Sequence, residues 1–367
     1  MFRLSLERAD WLRDALITCA HDEKAAGFFC LLLACAIATA LAAWLVQRYS
    51  PYASGSGIPH VEAVVSGQLP PAPPRLIPVK VRRRIACHRR WPRLGREGLS
   101  VQMGASLAHL VGTMFRRNWP DCRALVAAGA GAGLATAFNA PIAGAVFVLE
   151  DGAAVRTSIA IAALAASATA IAVARLLLGD ASDFHVNALG YGDAIRPLYF
   201  AVGGFAGLLA VLYNRVLLAT IEGANWLSLL PPVLRAALVG AAVGAFAWFA
   251  SDLVGGGDPI TQRALAVAPL AVVPAAFLFR FALGAVSYAA GTPGGLFAPL
   301  LVLGAQFGLL LAGVCRALLP NLDVQPEGFA VVGMAALFTG VVRAPVTGIV
   351  LDTEMTASVT ILLPMLS

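Results

Sequence analysis

The sequence predicts an all-α polytopic membrane protein built from two inverted-topology repeats of tilted and broken helices. Three observations predict it. Charged residues make up only 13% of the chain and hydrophobic ones 59%, where a soluble domain carries about 25% charged. Apolar stretches recur along the whole length. And two short stretches, 141–151 (PIAGAVFVLED) and 345–355 (PVTGIVLDTEM), read as copies of each other about two hundred residues apart. Extended upstream they become Asn139-Ala140-Pro141-x-x-Gly144 and Arg343-Ala344-Pro345-x-x-Gly348, each followed by a glutamate at the same place, Glu150 and Glu354. A repeated, helix-breaking element inside a very apolar chain points to a transporter whose site lies where the halves meet.

Taken in order, residues 1–24 read as part of a helix and a loop, charged and amphipathic from Arg3 to Lys24, and no cleavable signal peptide precedes the first long apolar run. Residues 25–48 are a spanning helix, since Gly27 to Leu45 carries no charge and a span needs about 20 apolar residues, or fewer where a helix is broken inside protein. Ser54-Gly55-Ser56-Gly57-Ile58-Pro59 is a tight turn that opens a short helix. Pro fits its first turn, where the missing N–H has no partner in any case. Gly95 to Ser100 opens the next helix. Residues 123–150 hold a Gly/Ala-rich helix, the break at Asn139-Ala140-Pro141 and a second helix. Gly129, Gly131 and Gly133 permit close helix crossing there.

Ile159–Ala174, Leu198–Leu212 and Ala264–Phe279 are further apolar runs, separated by short polar joints such as 179–183 and 255–259. The second half then repeats the earlier order: the turn Gly291 to Pro299 opens a helix, 328–342 form another, and Arg343-Ala344-Pro345 breaks into a helix ending at Glu354. The expected organisation is one transmembrane domain over 1–367, with repeat one at about 25–178, repeat two at about 196–367 and no cytoplasmic regulatory domain.

Three glycine-rich turns thus lead into apolar helices. A helix N-terminus offers unpaired N–H groups and about half a positive charge, and glycine lets a small anion approach that backbone. Several such ends converging in the membrane bind an anion by partial charges, weakly enough to release it. The six cysteines, at 19, 30, 35, 87, 122 and 315, have no metal-ligand spacing, so neither a metal nor a cofactor is expected. Neither a catalytic acid–base set, a nucleotide site nor a nucleic-acid surface is visible, and an enzyme is not expected.

GSGIP at 55–59, GREG at 95–98 and GGLFAP at 294–299 resemble, in order, the three signature motifs of the CLC family of chloride channels and chloride/proton antiporters, most closely its bacterial members. The resemblance covers nearly the whole chain. It implies a homodimer with one pore per subunit, in a bacterial inner membrane, with chloride and protons as the transported species. Ser56, in the turn with Gly57, matches the serine whose hydroxyl donates to the central chloride, and it can also cap its helix. The amides of Leu296 and Phe297 match donors to the same ion. Glu97 matches the gating glutamate, whose carboxylate competes with chloride for an outer site lined by the amides of Arg96 and Gly98; a salt bridge to Arg96 is its ordinary alternative. Glu150 and Asp151 match the acidic pair of the first repeat, the second member of which relays protons on the inner side in antiporters. Asp151 keeps that carboxyl one methylene shorter and leans the reading toward proton exchange over a passive channel.

Four features depart from the family pattern. Residues 82–93 carry six arginines in twelve positions where an apolar helix belongs, and each would cost about 2.5–3.5 kcal/mol at a helix centre. A basic headgroup-binding loop is one account. A shifted reading frame is a better one: GC-rich codons for Arg-Arg-Arg-Ile-Ala, moved by one base, give Gly-Gly-Val-Leu, and Trp91-Pro92 then forces a glycine. Removing those six leaves 20 basic against 20 acidic residues, so the net charge of +6 supports no inference about acidic partners. Residues 152–158 carry a weaker form of the same fault, which touches Asp151. Leu99 stands where proline usually follows GREG. Both ends are short: a single spanning helix precedes the first motif, and the final helix, with its chloride-binding tyrosine, has no counterpart, since Tyr199 and Tyr288 lie elsewhere in the order. A degenerate product without transport activity is therefore the competing reading.

Overall fold

In a computed structural model of the chain, the described residues are 24–49, 56–72, 97–150, 157–179, 196–226, 230–249, 273–289, 295–322, 324–357 and 365. Arg96, Asp151, the arginine-rich 82–93 and most of 152–158 lie outside them. The described residues form helices and no strand ladder. Twelve helices follow one another: α1 (Lys24–Tyr49), α2 (Ile58–Val65), α3 (Glu97–Met114), α4 (Trp119–Phe138), α5 (Pro141–Glu150), α6 (Thr157–Leu178), α7 (Arg196–Trp226), α8 (Pro232–Phe249), α9 (Val273–Ala289), α10 (Phe297–Leu318), α11 (Pro326–Val342) and α12 (Pro345–Thr356). Among the described residues, five of them (α1, α6, α7, α8 and α10) are long and apolar enough to cross a membrane. At 1.5 Å per residue, α5 and α12, with 10 and 12 residues, reach only about halfway through a 30 Å hydrocarbon core.

The two halves repeat a packing unit. α3 crosses α4, α4 folds back on α5, and α10, α11 and α12 do the same. Both α3–α4 and α10–α11 cross backbone to backbone through glycine. A Cβ on Gly129 would sit 2.6 Å from the Ala108 Cβ, and one on Gly304 would sit 2.7 Å from the Met334 Cα. Without a hydrophobic driving force in lipid, such close approach is what holds helices together. The Asn139 and Arg343 breaks are also alike. α4 ends on Asn139 at φ 55 and α11 on Arg343 at φ 64, both left-handed; Asn tolerates that region far better than Arg. After each cap the chain resumes as a helix, with Gly144 N–H donating to Ala140 O at 3.1 Å and Gly348 N–H to Ala344 O at 3.0 Å.

The core runs between the halves. Phe138, Phe147, Phe297, Phe329 and Phe338 belong to one buried cluster, drawn from α4, α5, α10 and α11. α1 lies against α8 through a separate small cluster of Leu31, Cys35, Val243 and Ala247. Large apolar side chains such as Leu176, Leu177, Leu208 and Phe249 stay exposed, as expected where lipid replaces water as the surrounding medium.

Candidate anion and proton site

The residues that the sequence singles out lie at three helix N-termini. At the first, Gly57 takes a left-handed conformation (φ 81) as the cap of α2, which only glycine adopts without strain. Ser56 is buried, and its Oγ accepts a hydrogen bond from the Ile58 N–H at 3.3 Å. A hydroxyl that accepts in this way keeps its own O–H to donate, so capping and anion binding are compatible in one side chain.

At the second, α3 begins at Glu97, whose carboxyl is 1% exposed. Gly98 follows directly and presses against the α2 turn: a Cβ there would overlap the Ser56 carbonyl oxygen and lie 2.9 Å from its carbon. The glycines of two distant motifs are thus needed to bring two helix N-termini into contact. At the third, Leu296 precedes α10 and accepts from the Leu300 N–H at 2.9 Å, while Phe297 opens the helix. α10 touches α3, and the Phe297 ring meets Phe338 edge-on at 4.8 Å and Phe147 at 6.1 Å. Ser56, Gly57, Glu97 and Gly98 are therefore brought together, and α10 packs against α3.

Glu150 sits elsewhere. Its carboxylate lies across the N-terminus of α12, accepting from the Val346 N–H at 2.9 Å, the Thr347 N–H at 2.7 Å and the Thr347 hydroxyl at 2.7 Å. Glu354 does the reciprocal thing at α5, accepting from Ile142 N–H at 3.1 Å and Ala143 N–H at 2.8 Å. The matching glutamates were visible in the repeat, but that each docks on the other's helix was not.

Two further features escaped sequence reasoning. Asp352 on α12 is fully buried and neither carboxyl oxygen has a hydrogen-bond partner. At the matching place in the first repeat stands Val148, against Gly131. A small, largely apolar cleft also opens between α2, α3 and α4, where His60, Gln102, Ser106 and His109 line it beside Val61, Val64 and Val126, with Gln102 Nε2 and His60 Nδ1 3.3 Å apart.

A geometry of helix N-termini gathered around a serine turn and a buried glutamate has close relatives. The model of the voltage-gated chloride channel family matches residues 38–367. The chain belongs to the voltage-gated chloride channel (CLC) family. It is 33% identical over 387 residues to the H(+)/Cl(-) exchange transporter ClcA of Vibrio cholerae, covering 99% of this chain and 78% of that protein. Similarity to ClcA of Yersinia pestis is 34% over 345 residues, 88% of this chain and 70% of that one. Among solved structures, a slow cyanobacterial Cl-/H+ antiporter superposes with a TM-score of 0.92 at 28% identity, over 100% of this chain and 87% of that one. A CLC-type fluoride/proton antiporter, at 20% identity and a TM-score of 0.80 over 99% of this chain and 89% of that one, shares the fold.

Proposed function

We propose that this CLC protein exchanges chloride for protons across a bacterial inner membrane, as a homodimer of single transmembrane domains with repeats at about 25–178 and 196–367. The observation that carries the reading is the buried carboxyl of Glu97 at the first turn of α3, pressed through Gly98 against the Ser56 turn. A carboxylate and a chloride are both attracted to the same unpaired N–H groups, and two unit charges a few ångströms apart in a low dielectric exclude each other. Ionised Glu97 therefore holds the outer position itself. Protonation removes its charge, the side chain leaves, and chloride takes the vacated N–H groups, with Arg96 and Gly98 lending amides. Chloride then passes to the Ser56 hydroxyl and the Leu296 and Phe297 amides. Asp151, next to Glu150, supplies the inner proton. An ionisable residue at membrane depth is functional by default, and the relatives named as H(+)/Cl(-) exchange transporters favour exchange over passive conduction.

Reconstitution into vesicles with simultaneous chloride and pH recording tests this. Exchange predicts that a chloride gradient drives protons uphill and that Glu97→Ala moves chloride without protons. Proton coupling that survives Glu97→Ala rejects the assignment of the gate. Chloride flux without proton movement in the unmodified protein makes it a channel, and absence of both makes it the inactive product.

A further inference from the structure

A glutamate in the last turn of a helix is misplaced, because the negative end of the helix dipole repels it. Glu150 and Glu354 both occupy such positions, at the ends of α5 and α12. Both helices begin with proline, Pro141 and Pro345, so the first N–H groups available belong to the two residues that follow. Those are the groups the partner's carboxylate takes: Ile142 and Ala143 for Glu354, Val346 and Thr347 for Glu150. The two helices therefore run antiparallel, and each carries in its last turn the acid that caps the other. Each carboxylate binds with both oxygens, a two-point grip that fixes rotation as well as distance. Two grips at opposite ends prevent sliding. The Arg175 guanidinium on α6 adds an attractive charge at Glu354 and donates to the Asn139 side chain at 3.3 Å, tying in the left-handed break before α5.

From this interlock two paths lead to the anion turn. α5 carries Phe147, whose ring meets Phe297; α12 follows α11, whose Phe338 also meets Phe297. Helix α5, helix α12, helix α11 and the start of α10 close into one ring of contacts. The chain leaves α5 at Glu150 directly into Asp151. We propose that Glu354 and Glu150 are positioning residues for coupling: they lock α5 to α12 and so hold the proton-carrying half of the mechanism in register with the anion turn at Leu296 and Phe297. This rests on the exchange reading, and in it Glu150 works by its grip on α12, with its proton never exchanged.

The test compares Glu354→Ala, Glu354→Gln, Glu150→Ala and Glu150→Gln with the unmodified protein, reading protons moved per chloride, chloride rate and thermal midpoint. A glutamine keeps the shape and one acceptor oxygen, so it restores part of what alanine loses. The expected result is a fall in protons per chloride of up to about 10²-fold in either alanine variant, as for a misplacement near 1 Å. The chloride rate falls less, and the glutamine variants lie between. If the alanine variants do not fold, the glutamine variants decide by the same ratio. A lowered thermal midpoint with an unchanged ratio overturns the proposal and leaves a purely structural interlock. Chloride flux without protons in the unmodified protein removes the exchange reading and the coupling role with it, an outcome distinct from a normal parent with unaffected variants.

Discussion

Replacing Gly98 by alanine is the sharpest test of the site's architecture. The added Cβ runs into the Ser56 backbone: it overlaps the carbonyl oxygen and would lie 2.9 Å from the carbonyl carbon and 3.1 Å from the Cα. Carbon atoms sit comfortably at 3.5–4.0 Å and the carbonyl oxygen is nearer still, so the α2 turn and the start of α3 must separate by about 1 Å. No flexible side chain is there to yield, and overpacking of this kind costs about 1–3 kcal/mol. The two N-termini then no longer face one ion, and because the α3–α4 crossing begins at Ser100 against Gly133, folding is checked alongside by the thermal midpoint. A displacement near 1 Å in a positioned site lowers rate by about 10²-fold. Chloride efflux from vesicles and chloride binding by calorimetry both read this loss. Gly204→Ala is the matched control: that glycine is exposed on α7 with nothing within 4 Å of its would-be Cβ, and its transport stays at the parental level. Parental flux and chloride affinity in a well-folded Gly98→Ala protein would refute the reasoning.

Asp352→Val gives the second repeat the residue that its mate, Val148, has in the first; relief of an unpartnered buried carboxyl raises stability by about 1–3 kcal/mol, read as a higher thermal midpoint, and loss of transport at unchanged or raised stability would show that the carboxyl serves the mechanism. Arg343→Gly removes a left-handed arginine at φ 64 and stabilises by roughly 1 kcal/mol; an unchanged or lower midpoint would mean that the guanidinium contributes more than the strain removes. Resequencing the gene across codons 82–93 will reveal compensating insertions and deletions and a Gly-rich apolar helix in the corrected frame, and a clean in-frame read of the six arginines rejects the shifted-frame account.

The helices were legible because each carries its own punctuation. Pro59, Pro141 and Pro345 mark starts, Asn139 and Arg343 mark stops, and the uncharged runs give lengths. The α2 and α3 turns were put in one site by the resemblance of GSGIP and GREG to two family motifs, and Gly98 does meet Ser56. Contacts between distant segments were not legible in the same way. Nothing in Gly98 alone says that its missing side chain makes room for Ser56, and the pairing of His60 with Gln102 joins residues 42 apart with no pattern to announce it. Asp352 was hidden for a different reason. In sequence it is one more acid near a helix end, and only burial shows that it occupies an apolar position.

The repeat itself explains what the sequence showed and what it withheld. Duplicated helices under pseudo-symmetry place like against like, so a motif present once in each half meets its own copy across the axis. That is why two glutamates that look equivalent in sequence perform the same service for each other in space, Glu150 at α12 and Glu354 at α5. Equivalent roles argue against giving Glu150 a proton-carrying task that Glu354 does not share. Departures from the symmetry are then the places to look for transport chemistry. Glu97 and Gly98 open α3 in the first half, whereas Phe297 and Ala298 open its mate α10 in the second. Asp151 follows the first glutamate and Met355 the second. The shared carboxylates tie α5 to α12, and in the proposed exchange the proton and anion roles fall on the unshared residues.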